Sequence, residues 1–247
     1  MAIRHLGKVT AAVIALSLPG LASAWTLLDD FGPLPEATWG GTGIPNDAVA
    51  SSKQFTNGTN EITLGLVAHE RFSNPTVTNN GAGIYFAPET GSNFGGAGES
   101  GFVGAKWNFG YYIDIAGGGK LTDYQIDLYY DFDPAATPTV GDIAGLGTID
   151  ITAALGASTD TRTEGSQNLL FAFLGTTGSI TGLTAPTFPA FDADVPGNYQ
   201  FVITVATLGG FPIDAVAMEV QVVPVPAAVW LFGSALGLLG WVRRRTA

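Results

Sequence analysis

Apolar and polar residues trade places with a period of two along much of this chain. Ile62, Leu64 and Leu66 alternate with Thr63, Gly65 and Val67. Trp107, Phe109, Tyr111, Ile113 and Ile115 alternate with Lys106, Asn108, Gly110, Tyr112 and Asp114. Tyr124, Ile126, Leu128, Tyr130 and Phe132 alternate with Asp123, Gln125, Asp127, Tyr129 and Asp131. A strand sends successive side chains to opposite faces, so each run predicts a strand with one buried face. Further strand-like runs are GTIDITAAL (147–155), NLLFAFL (168–174), NYQFVITVATL (198–208) and AVAMEVQVV (215–223). Clusters of Gly, Pro, Asn and Asp separate the runs, as turns between antiparallel strands require. No helical period and no repeat of fixed length stands out between them.

These features predict an all-β domain, an antiparallel β-sandwich of immunoglobulin-like or jelly-roll-like kind, with a β-barrel as the alternative. In DADVPGNYQFVITV, Asp194, Gly197 and Tyr199 resemble the tyrosine corner of immunoglobulin-like sandwiches. Phe201 then stands where those domains often place cysteine. This chain has no cysteine, so its core must hold without disulfides. Trp107, on the apolar phase, is expected in that core.

The two ends follow a different logic. At the start, Arg4 and Lys8 precede an apolar run from Val9 to Leu21, and Ala22-Ser23-Ala24 follows. That order is a secretory signal peptide (1–24), with cleavage after Ala24 leaving Trp25 first. At the finish, residues 223–247 read VPVPAAVWLFGSALGLLGWVRRRTA. Pro224 and Pro226 keep the chain extended. The 16 residues from Ala227 to Val242 carry no charge, enough for about 24 Å of helix, a short membrane span. Trp230 and Trp241 suit the two interfaces, and Arg243, Arg244 and Arg245 form a membrane stop on the cytoplasmic side. Residues 25–222 lie between as a 198-residue exported domain.

The tail resembles the PEP-CTERM sorting signal of Gram-negative bacteria: a Pro-x-Pro motif, one hydrophobic span with small residues, and a terminal basic cluster. The likeness is confined to the tail, and Val225 stands where the family usually has glutamate. It implies that Val223, Pro224, Val225 and Pro226 are read by an exosortase-type membrane transpeptidase. It also implies a link to exopolysaccharide and biofilm. The helix would then anchor the chain at the inner membrane only transiently, before release to the cell surface or matrix.

Charge narrows the choice of partners. The exported part carries 5 basic and 21 acidic residues, a net −16. Such a surface repels nucleic acid and anionic membranes. Catalytic chemistry is thinly supplied. His69 is the single histidine beyond the leader, so a Ser-His-Asp arrangement would have to use it, and a strand-end histidine is expected to be solvated. Zinc sites take two or three His or Cys ligands, which this chain lacks. A glycosidase needs two carboxylates, but no pair stands out. Gly96-x-Gly98-x-x-Gly101 fits a dinucleotide fingerprint, yet a strand rather than a helix follows, so it reads as a loop.

DYQIDLYYDFDP aligns Asp123, Asp127, Asp131 and Asp133. Asp131 and Asp133 at the strand end, with Asp142 from the next loop, form a candidate calcium set. The plainer reading is an acidic edge that resists strand-on-strand aggregation. Trp39, Tyr112 and Tyr129, read as exposed rings, are candidate glycan contacts. No cofactor is expected apart from candidate calcium. The expectation is a non-enzymatic, exported surface or matrix protein. A carbohydrate-binding module for exopolysaccharide is the first alternative, and a small glycan hydrolase the second.

Overall fold

The computed structural model describes residues 28–39, 49–71, 77–87, 90–94, 103–135 and 143–222. Outside these lie residues 1–27 with Ala22 and Ala24, the glycine-rich run at 96–101, Asp142, the motif Val223–Pro226, the apolar stretch, and Arg243, Arg244 and Arg245. Among the described residues no helix is long and apolar enough to cross a membrane.

The described chain is all-β, with fourteen strands. In order they are β1 (Asp30–Pro33), β2 (Val49–Asn57), β3 (Asn60–Glu70), β4 (Thr78–Asn79) and β5 (Ile84–Ala87). Then come β6 (Ser92–Phe94), β7 (Val103–Ala105), β8 (Trp107–Ala116), β9 (Tyr124–Tyr130) and β10 (Gly147–Asp150). The last are β11 (Arg162–Gln167), β12 (Leu183–Thr184), β13 (Gly197–Thr207) and β14 (Pro212–Val222). One sheet has the order β1-β2-β3-β8-β11, a second β12-β10-β9-β13-β14-β5-β4, and β6 pairs with β7.

The first sheet is antiparallel throughout. The second is mixed, because β14 pairs in parallel with β5, Glu219 opposite Ile84. A purely antiparallel architecture is therefore corrected at this pair. Residue alternation fixes which face a strand buries but not the direction of its neighbour, and no hairpin ties β5 to β14.

The two sheets face one another across a shared apolar core. Ile62, Leu64 and Leu66 of β3 and Phe109, Ile113 and Ile115 of β8 join Ile126, Leu128, Phe201, Ile203 and Val216 in one cluster. Alternating residues thus supply both inner layers, as the period-two pattern requires. Seven rings thicken one part of this core. Trp107 lies 5.9 Å from Tyr199, 6.1 Å from Phe201 and 6.2 Å from Phe191, while Phe109 and Phe201 are 4.5 Å apart. Phe132 joins Phe191 to Tyr130. The Tyr199 hydroxyl donates to the Val195 carbonyl at 3.1 Å, a bond reaching back four residues. Tyr85 links the sheets, donating to the Leu66 carbonyl at 3.2 Å and accepting from the Ser51 amide at 3.0 Å.

Strand β9 shows the alternation in full, buried at every second residue. β3 does not: Leu64 to His69 are buried in succession. A segment following β1 folds over the outer face and covers the polar phase there.

Two runs depart from strand. GTIDITAAL starts as β10 and then turns into a short helix, α1 (Ile151–Leu155). Asp150 caps it, accepting from the Ala153 amide at 2.7 Å, and Gly156 ends it at φ 61°. NLLFAFL becomes a turn and a 3-10 helix (Ala172–Gly175). There the Asn168 side chain ends the extended run by binding neighbouring backbone. Polar β11, RTEGSQ, has no apolar alternation and escapes a pattern-based reading.

Candidate functional site

The segment Leu34–Trp39 lies as a strap across the outer face of the first sheet, and its anchor is Glu164 on β11. Glu164 Oε2 accepts from the Thr38 amide at 2.7 Å and the Trp39 amide at 2.8 Å, and Oε1 accepts from the Thr38 hydroxyl at 2.7 Å. Charge-assisted bonds of this kind are the stronger class. Trp39 adopts φ 56°, uncommon for a non-glycine residue. Its ring drops onto Gly65 and Gly110. A Cβ on Gly65 would meet Leu34 Cδ2 at 2.7 Å and the indole at 3.3 Å, and one on Gly110 would meet the indole at 3.2 Å. The two glycines therefore form the seat for the indole.

This packing corrects the reading of the aromatic set. Trp39 is 0% and Tyr112 1% exposed, so neither offers an open face for a sugar ring. Trp39 meets Tyr112 edge-on at 6.4 Å, and the Arg162 guanidinium lies 5.2 Å from the Tyr112 ring. Tyr129 is half-buried on β9, in the other sheet, against Val202, Ala215 and Ala217. The three residues do not converge.

Beside the strap, the outer face holds a polar groove of about 480 Å³. Asp30, Glu36, Glu61 and Asp114 contribute carboxylates, with Gln54 and the Tyr112 side chain between them. Lys53 is held at one wall, 2.8 Å from Asp29 and 3.8 Å from Asp214 of β14. Arg162 Nε donates to Asp114 Oδ1 at 2.9 Å, and Gln54 donates to Glu61. Burial, then the nearby Asp114 charge, pushes the Tyr112 phenol up to about 12, so it remains a hydroxyl at neutral pH. The groove is thus rich in acceptors for a ligand bearing hydroxyl or amino groups.

His69 sits toward the opposite end of these strands and is buried, not solvated, at 5% exposure. Its Nδ1–H donates to the Glu70 carbonyl at 3.1 Å, which leaves Nε2 to accept from the Ser166 hydroxyl at 2.9 Å. Asn108 Nδ2 also donates to Ser166 Oγ, at 3.3 Å. A serine and a base in contact form half of a nucleophilic arrangement. Among the described residues no carboxylate orients the ring, and these bonds lock a buried cross-strand network.

Burial lowers the His69 pKa below 6.5, opposed in part by the Glu70 carbonyl. The unfolded ring therefore binds a proton that the folded ring resists. The His69 contribution to stability is complete above pH 6.5 and is lost as the pH falls below it. Urea unfolding at about pH 7.5 and about pH 5.5 should show acid destabilisation that His69→Gln reduces. An equal pH response in the two proteins would refute the role of this ring.

The aspartates separate into two groups. Asp123 accepts from the Lys120 amide at 2.9 Å, and Asp127 accepts from Gln125 Nε2 at 3.1 Å, so both serve local structure. Asp131 lies beyond the end of β9 and turns inward, leaving the outer face assigned to it from the pattern. It is 3% exposed. Its Oδ1 accepts from the Asp133 amide at 2.8 Å, while Oδ2 is buried without a partner. Burial pushes its carboxyl up to about 6, against the pull of the Asp133 and Gln200 backbone amides. Asp133 is half-buried beside it, and Asp142 lies outside the described residues.

No protein-family model, curated protein or solved structure matches this chain.

Proposed function

We propose that this chain is an exported, non-enzymatic surface or matrix protein of a Gram-negative envelope, sorted through its PEP-CTERM-like tail and associated with exopolysaccharide. The observation that carries this reading is the join between domain and tail. β14, the last of the described strands, runs to Val222, and VPVP begins at the next residue. A transpeptidase cutting at the motif would release the folded β domain without removing a core strand. The finer fold reading, an immunoglobulin-like or jelly-roll-like sandwich, draws support from the facing sheets and the Tyr199 bond.

Mass spectrometry of surface-extracted protein is the test. The expected mature form starts at Trp25 and ends near Pro226. Recovery of Arg243–Ala247 on the mature form would make the tail a permanent anchor and end the sorting proposal.

A second reading, glycan binding, is favoured by the acceptor-rich groove beside the strap. Carboxylates and amides fixed on strands can take paired hydrogen bonds from sugar hydroxyls without a stacking ring. A glycan array probed with the exported protein should give hits that Glu61→Gln combined with Gln54→Ala removes. Unchanged hits in that variant would remove the groove from the reading and leave the sorting proposal standing.

A further inference from the structure

We propose that Asp131 and Asp133 hold a calcium ion in the small pocket between the end of β9 and the loop at 143–146. This goes beyond the sorting and glycan readings and does not rest on either.

The pocket, about 210 Å³, is lined by the polar side chains of Asp131, Asp133 and Thr187 together with apolar Leu146, Phe188 and Pro189. Its defining feature is the buried, unpartnered Oδ2 of Asp131. A carboxylate oxygen taken out of water with no donor is costly, and structures resolve the cost with a proton, a donor or a cation. Among the described residues no Lys or Arg lines this pocket. The nearest acidic neighbour, Asp133, adds a second negative charge to the same space.

Each of the two carboxylates uses one oxygen on the chain itself. Asp131 Oδ1 accepts from the Asp133 amide at 2.8 Å, and Asp133 Oδ1 from the Ala135 amide at 2.9 Å. The Asp131 Oδ2 remains without a partner. The Thr187 hydroxyl, which donates to the Gly145 carbonyl at 3.2 Å, keeps free lone pairs beside the two carboxylates. All the donors are oxygen, which selects a hard cation. Calcium accepts irregular sets of six to eight oxygens completed by carbonyls and water, whereas magnesium demands a near-octahedral set. Among the described residues no third acidic or histidine side chain converges here, so water must complete the shell.

The rival occupant of the pocket is a proton on Asp131. Thermal melting of the purified protein at pH 7.5, with millimolar calcium against excess chelator, separates the two. Saturating calcium should raise the melting temperature by about 5 °C or more, and magnesium by less. Isothermal calorimetry with calcium alone should give one site. Asp131→Asn should abolish both responses and melt no lower than the wild type in chelator, because the orphan charge is gone. Should that variant fail to fold, Asp133→Asn carries the comparison, with a weakened calcium response expected. No calcium shift in the wild type means that the pocket holds no calcium, and the proposal fails. An undiminished shift in the folded Asp131→Asn protein places the ion elsewhere and overturns it equally.

Discussion

Asn168→Ala should lower the unfolding free energy by about 4 kcal/mol, although it removes no apolar surface. Asn168 is 0% exposed and works as a piece of backbone. Its Oδ1 accepts from the Ala105 amide at 2.9 Å and the Leu170 amide at 3.1 Å. Its Nδ2 faces the carbonyls of Ala105 at 2.9 Å and Trp107 at 3.0 Å, and Asn108 Oδ1 at 2.7 Å. Alanine would strand several buried donors and acceptors at once, each costing about 1–3 kcal/mol if water cannot reach it. Asn168→Asp should do no better, since its second oxygen would confront two carbonyls. Urea unfolding measures the loss. A change below about 1 kcal/mol would mean that water replaces the amide freely.

Phe201→Ala should cost a comparable amount, about 4 kcal/mol, by a different route. Phe201 is 0% exposed and bridges the sheets, 4.5 Å from Phe109 and 6.1 Å from Trp107. Truncation loses the transfer free energy of the ring and opens a cavity that rigid neighbouring rings cannot fill. Phe201→Leu should recover a good part of the loss. Phe211→Ala is the matched control: that ring is 74% exposed at the β13–β14 turn, so its removal should change stability by no more than about 0.5 kcal/mol. Chemical denaturation of the three proteins decides it, and similar losses at 201 and 211 would contradict the core assignment.

The contrast between these two sites marks what the sequence makes legible. Phe201, Trp107 and the strand faces follow from period-two alternation, because burial of every second side chain is a local property of a pleated strand. The 3.1 Å bond from Tyr199 to Val195 is likewise local, since donor and acceptor are four residues apart. Asn168 stands in an apolar run that reads as strand, and all its partners except the Leu170 amide lie some sixty residues away. Nothing local announces them.

The outer-face groove hides for the same reason. Its strap is held by Glu164, 126 residues from Thr38, and its seat is the space left by Gly65 and Gly110. Those glycines look like neutral polar-phase positions until the indole arrives. Trp39, in a glycine-rich stretch, therefore reads as exposed although it is buried. The helix α1 does carry local signals: Asp150 and Gly156 flank it as a cap and a stop. The alternation puts Asp131 at the correct strand end but on the wrong face, because it ceases where β9 ends.

The position of β14 bears on how the protein would carry tension. It is an interior strand, and its last residue, Val222, faces Gly197 on one side and Ala87 on the other. A pull along the strand from that end would meet bonds lying across the direction of force on two flanks. They would have to yield together in shear, whereas an edge strand peels away one bond at a time. A tether joined just beyond Val222 would thus grip the domain at a mechanically resistant point.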